Sequence, residues 1–180
     1  MAETPVPDYV DAKKIFAQRA DISGSIPVSR FERFCELLAN ISGDLKVWLQ
    51  FDLDERHRRI VQGAIDTHVN VVCQRCLEET NIQLKESFKL GIVETEAQIP
   101  RLPKDVDPWL TTEAKLVIAD ILEEQLILAM PIVSYHENAC TPVVKSADRN
   151  EVQEKAGSGE TRDGNPFAVL KKLKYPDKLN

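Results

Sequence analysis

The sequence predicts an α+β fold: an antiparallel β-meander packed by N-terminal helices and one long helix, followed by a flexible linker and a short C-terminal helix. Three observations predict it. Apolar residues recur at helical spacing near both ends of residues 1–140, alternate with period two between them, and thin out from about 141 to 164. Helices gathered before and after a block of strands, rather than alternating with them, pack on one sheet face. The expected organisation is one α+β domain over 1–140, a polar linker over 141–164 and a basic amphipathic segment over 165–180.

Residues 11–19 (DAKKIFAQR) put Ala12, Ile15 and Phe16 on one helix face, and a turn over 21–24 ends that helix. Ser29 and Glu32 have the spacing of a capping box, in which each side chain satisfies an otherwise unpaired backbone N–H. Phe31, Phe34, Cys35, Leu38 and Ile41 then follow as a buried helical stripe that Ser42–Gly43 stops. From Leu45 the period becomes two. Leu45, Val47, Leu49, Phe51 and Leu53 alternate with Lys46, Trp48, Gln50 and Asp52, the pattern of a half-buried strand. The run 54–59 (DERHRR) is a turn, and Ile65, Thr67, Val69 and Val71 form the returning strand, with Gly63 as an expected bulge. Ile82, Leu84, Phe88, Leu90 and Ile92 give a third strand. Short polar turns between sequential strands favour antiparallel pairing. Pro100, Pro103 and Pro108 mark a loop over about 98–110, after which Thr112 is expected to cap a helix carrying Leu116, Ile118, Ala119, Leu122, Leu126 and Ala129, ended by Pro131.

Charge and composition narrow the function classes. Lys and Arg number 23 against 29 Asp and Glu, a net charge of −6, so any grip on nucleic acid must come from local basic clusters. The longest apolar stretch, 126–133, is far too short for a transmembrane helix, and the opening MAETPVPDYVD carries acids where a secretory signal carries a basic flank. The expected location is the cytoplasm, where four Cys remain thiols or metal ligands rather than disulfides.

The sharpest chemical feature is Cys73-Gln-Arg-Cys76, at the tip between the second and third strands. A tight turn brings two thiolates three positions apart to the same side, where both can bind one tetrahedral ion. His136 and Cys140 are the best candidates to complete a zinc site; the alternative is reduced thiols with His136 on a loop. A thiol-redox role is the further alternative, although redox pairs usually sit at a helix N-terminus and this pair lies between strands. Cys35, on an apolar stripe, reads as a core residue. No nucleophile–base–orienter set can be assembled from His57, His68 and His136, and no phosphate-cradling Gly-rich loop is present in the sequence. Glu123 and Glu124 are neighbours that point different ways around a helix and read as a solvated acidic face. The expectation is a protein that is not an enzyme and has no small-molecule substrate.

Two basic clusters stand against the acidic whole as candidate partner or RNA contacts. One is the strand turn with Arg56, Arg58 and Arg59 around His57. The other lies in the last segment, where Asn165 is a suitable N-cap, Pro166 sits at the first helical position, and Phe167, Leu170, Lys171, Lys172 and Lys174 follow. Cation, aromatic and helix cap beyond a polar tether suit a short segment that folds on docking, onto a partner or back onto its own domain.

Three segments in series resemble the YceD family, the large ribosomal RNA subunit accumulation proteins of bacteria. They are Cys73-Gln-Arg-Cys76 after an apolar strand, Glu124-Gln-Leu-Ile-Leu-Ala-Met-Pro131 with His136 and Cys140 beyond it, and Asn165-Pro-Phe-Ala-Val-Leu-Lys-Lys-Leu-Lys174. The resemblance implies a cytoplasmic factor needed for normal accumulation of large-subunit (23S) ribosomal RNA, with that RNA or a ribosomal or assembly protein as partner. It carries over no catalytic residue. Forms of the family with a second cysteine pair after the long helix would hold zinc through four thiolates; this chain has His136 and Cys140 there, so a mixed Cys₃His site is what the resemblance allows.

Overall fold

The structure, a computed structural model, describes residues 5–138 and Cys140. The period-two region becomes three long strands, β3 (Asp44–Leu53), β4 (Arg59–Val72) and β5 (Glu79–Val93). They pair antiparallel in sequence order, with Leu49 opposite Gly63 and Gly63 opposite Phe88. The predicted α+β class with an antiparallel meander is therefore present. β2 (Asp21–Pro27) adds to the free side of β3, and β6 (Asp107–Leu110) pairs parallel with the end of β5, giving the order β2-β3-β4-β5-β6.

One face of this sheet is the core. Leu45, Val47, Leu49 and Phe51 of β3, with Val61, Ile65, Val69 and Val71 of β4, point into it and are buried. They meet Ala12 and Phe16 of α1 (Ala12–Gln18), Phe34 of α2 (Glu32–Cys35), and Ile118, Ile121, Leu122 and Leu126 of α3 (Ile118–Ala129). Each Val, Leu, Ile or Phe side chain among them contributes about 1.5–3 kcal/mol by leaving water. Phe16 and Phe51 meet edge to face with ring centroids 5.5 Å apart. Asp11 caps α1 by accepting from the N–H groups of Lys13 and Lys14, and Arg19 closes it in the left-handed region.

Several expectations are corrected. Residues 21–27 form β2 and not a turn, because Ile22 and Ile26 find an open strand edge at β3. The predicted helix with Ser29 as its cap shrinks to a 3₁₀ turn and the single turn of α2; Ser29 makes no capping bond, and Ile41 is exposed. The chain there is drawn instead to β4, where the Ala39 N–H donates to the Asn70 carbonyl. Gly63 sits in unbroken register rather than in a bulge: the Phe88 ring lies where its Cβ would be. The proline-marked loop overlaps a 3₁₀ turn (Glu96–Arg101) and contains all of β6. The long helix begins at Ile118 and Thr112 is not its cap, because residues 115–117 form β7 (Lys115–Val117), paired with β1 (Tyr9–Asp11). The expected linker over 141–164 and the segment over 165–180, with Asn165, Pro166, Phe167, Leu170, Lys171, Lys172 and Lys174, lie outside the described residues. Among the described residues, no helix is long and apolar enough to cross a membrane.

Candidate functional site

The turn between β4 and β5 is built around its first cysteine. The Cys73 N–H donates to the Glu78 carbonyl at 2.8 Å and the Leu77 N–H to the Cys73 carbonyl at 2.9 Å, while Leu77 takes a left-handed conformation. This compact knuckle turns both cysteine sulfurs to one side. The segment after α3 is tied across it: the Gln74 N–H donates to the buried Ser134 carbonyl at 2.9 Å, and the Arg75 guanidinium donates to the His136 carbonyl and stacks over Tyr135.

These ties bring all four predicted ligands together. The ligand atoms of Cys73, Cys76, His136 and Cys140 lie within 4.8 Å of one another. Cys73 Sγ and Cys140 Sγ are 3.7 Å apart, and Cys76 Sγ and His136 Nδ1 are 3.4 Å apart. Around a tetrahedral zinc ion the bond lengths of thiolate and imidazole put two sulfurs about 3.8 Å apart and a sulfur and a nitrogen about 3.5 Å apart. The donor set and its spacing therefore fit such an ion.

The surroundings suit the same chemistry. His136 Nε2 lies 3.1 Å from the Glu79 carbonyl. A proton on Nε2 donated there leaves the Nδ1 lone pair facing the sulfurs, the orienting bond that ligating histidines usually have. Burial pushes the Cys73 thiol up, but the N–H groups of Cys76, Arg75 and His136 and the Cys140 thiol outweigh it and hold it down at about 5. At Cys76 the Glu78 N–H pulls downward, yet burial and the neighbouring Cys140 and Cys73 sulfurs leave the thiol raised. The group thus holds one ready thiolate beside a thiol that a cation would ionise.

The basic turn stands at the opposite end of β4. Asp54 organises it by accepting from the N–H groups of Arg56 and Arg58, both at 2.9 Å. Two of the three predicted arginines are engaged: Arg58 pairs with Asp54, and Arg59, within β4, pairs with Glu94 at 2.7 Å. Arg56 is exposed, and Arg101 joins the cluster from the 3₁₀ turn, its carbonyl accepting from Arg58. The contribution of Arg101 was not legible in sequence because the turn and residue 101 meet only through the fold. His57 lies in this turn, as expected, and His68 is exposed on the outer sheet face.

Glu123 and Glu124 are not a solvated face. Both reach Arg33, at 2.9 Å each, and Glu123 also accepts the Arg33 N–H at 2.8 Å and the Phe34 N–H at 3.3 Å. This fork fixes α2 on α3. Cys35 packs against the core and donates its thiol to the Val28 carbonyl, and burial raises its thiol.

Residues 61–174 match the family described as the large ribosomal RNA subunit accumulation protein YceD. The chain is also similar to the large ribosomal RNA subunit accumulation protein YceD of Haemophilus influenzae, with 29% identity over 97% of this chain and 99% of that protein. No solved structure matches it significantly.

Proposed function

The chain belongs to the YceD family of large ribosomal RNA subunit accumulation proteins, and on that premise we propose that it supports accumulation of large-subunit (23S) ribosomal RNA by binding, as a cytoplasmic factor that is not an enzyme. The single observation that carries this reading is the family match over residues 61–174. Its partner is that RNA, or a ribosomal or assembly protein that reaches it. The exposed Arg56 beside Arg101 offers one contact for phosphate. The cationic segment 165–180 offers a second, with Phe167 and Leu170 as apolar anchors.

Within this reading Cys73, Cys76, His136 and Cys140 hold a zinc ion. The ion would supply a structural cross-link between the β4–β5 turn and the segment after α3. The depressed Cys73 thiol also suits a thiol-redox role, the second reading. The metal reading is favoured because His136 and Cys140 complete a tetrahedral donor set that a two-cysteine redox pair does not need.

Purification of the tagged full chain from growing cells, followed by sequencing of bound RNA and mass spectrometry of bound protein, tests the function. The expected result is recovery of 23S RNA or large-subunit proteins, reduced when residues 165–180 are removed, and a lower 23S-to-16S ratio in cells lacking the protein. Recovery of neither RNA nor ribosomal protein overturns it. Defined cleavage of precursor RNA by the pure protein would make it an enzyme.

A further inference from the structure

β2 (Asp21–Pro27) is the last strand at one edge of the five-stranded sheet, paired with β3 on one side only. The Ala20 carbonyl accepts from the Phe51 N–H at 3.0 Å, and the Val28 N–H donates to the Gly43 carbonyl at 3.0 Å. Antiparallel register runs unbroken between these two bonds. Backbone groups along a strand alternate sides, so Ile22, Gly24 and Ile26 bond to β3. Those of Asp21, Ser23 and Ser25, with the Pro27 carbonyl, point away from it. Among the described residues these outward groups have no backbone hydrogen-bond partner.

Native proteins usually guard such an edge with charges, a proline or a bulge, because bare strand edges pair with other chains. The opposite edge of this sheet follows that rule. Where β6 leaves β5 uncovered, the strand carries Glu79, Lys85, Glu86 and Lys89. β2 does not follow it: from Ile22 to Ile26 it has no charge, no proline and no bulge.

The occupant of this edge is indicated by the strand's own sequence. Ile22-Ser23-Gly24-Ser25-Ile26 reads the same in both directions. A second copy laid antiparallel about a two-fold axis at Gly24 therefore sets Ser23 opposite Ser25 and Ile22 opposite Ile26, twice each. Ser23 and Ser25 both direct their backbone groups outward, so each serine pair exchanges two N–H···O=C bonds. Asp21 falls opposite Pro27, whose carbonyl accepts from the Asp21 N–H, so the donor that proline lacks is missed only at the ends of the match. Side chains keep their faces. Ile22, partly buried against the core, meets the buried Ile26 of the second copy on the core face, and the serines meet on the outer face.

We propose that two copies of this chain associate through their β2 edges, in the antiparallel register centred on Gly24, to form one continuous sheet. The contact is a single strand wide, so the association is concentration-dependent rather than obligate.

Sedimentation equilibrium of the full chain under reducing conditions, from about 1 μM to 1 mM, tests it. The expected result is a reversible monomer–dimer equilibrium. Ser23→Pro removes an N–H that the single chain does not use, one from each copy, and should weaken the dimer about 5- to 150-fold, the range for losing two backbone hydrogen bonds. Ser23→Lys combined with Ser25→Lys should abolish the dimer by setting like charges opposite one another. Ser23→Lys combined with Ser25→Glu should restore it, because each lysine then faces a glutamate of the other copy. Amide exchange at Ser23 and Ser25 should slow as protein concentration rises, whereas Gly24, already bonded to β3, should not change. Circular dichroism and melting at the lowest concentration identify the folded variants; if Ser23→Pro is unfolded, the two charged variants decide. A monomer at every concentration overturns the proposal. So does a dimer that Ser23→Lys with Ser25→Lys leaves intact, or one that the Lys and Glu combination fails to restore. A photo-crosslinker at position 23 that captures only other proteins in cells assigns the edge to a foreign strand and overturns it equally.

Discussion

Cys73 Sγ and Cys140 Sγ stand 3.7 Å apart although 67 positions separate them in the chain. Cys73 is wholly buried at the tip of two strands, and Cys140 arrives from beyond α3. Three hydrogen-bonded ties hold the intervening segment against the turn: Gln74 to Ser134, Arg75 to His136, and His136 to Glu79. These ties bring the segment that carries His136 and Cys140 to the β4–β5 turn.

Protein purified under reducing conditions should contain one zinc per chain by elemental analysis. Cys76→Ser and His136→Ala should each reduce that content, and Cys35→Ser should leave it unchanged. At a metal concentration about 100 times Kd, binding adds about 2.7 kcal/mol. Removing the ion with a chelator should then lower Tm by about 5–10 °C for a chain of this size. A metal-free preparation with the same Tm would contradict the structural role.

Glu123 makes stability depend on acid. Burial pushes its carboxyl up, but the Arg33 side chain and the N–H groups of Phe34 and Arg33 outweigh it, and the net shift is downward from about 4.5. A carboxyl whose folded value is depressed contributes fully above its unfolded value, and that contribution is lost as pH falls through the folded one. Urea melts at pH 7 and pH 3.5 should show Glu123→Gln less stable than the parent at pH 7 by about 1.5–3 kcal/mol, the range for a hydrogen bond to a charged group. The gap should narrow at pH 3.5. Equal gaps at both values would count against it.

At Gly63 a Cβ would lie 2.2 Å from the Phe88 ring. Gly63→Ala should cost about 1–3 kcal/mol by overpacking. Phe88→Leu in the same chain should recover part of the loss, since it removes the atoms that clash. A double-mutant cycle in denaturant reads this coupling directly; purely additive effects would show that the glycine is needed for another reason.

Phe51 is wholly buried against Phe16. Phe51→Ala should cost about 3–5 kcal/mol, and Phe51→Leu distinctly less, because the cavity left behind is smaller. Chemical denaturation of the two variants gives the comparison.

The sequence by itself determined the three long strands, the core stripe of α3 and the donor set of the candidate metal centre. Period-two alternation from Leu45 to Phe51 survives folding because one face is packed and the other is open, and a slip of one residue would reverse every side chain. The Cys73 and Cys76 pair was legible because a tight turn joins its members locally. Only the tertiary structure decided the rest. β1, β2, β6 and β7 are short segments whose strand character comes from a partner edge elsewhere in the chain: Tyr9 needs Val117, and Asp107 needs Leu90. The helix expected after Ser29 gave way for the same reason, since β4 claims Ala39 and Asn40. Glu123 and Glu124 have the local pattern of a solvated face, but Arg33, some ninety positions away, bonds to both. Local patterns record which face of an element is apolar, whereas the pairing of distant polar groups exists only once that apolar face has been buried.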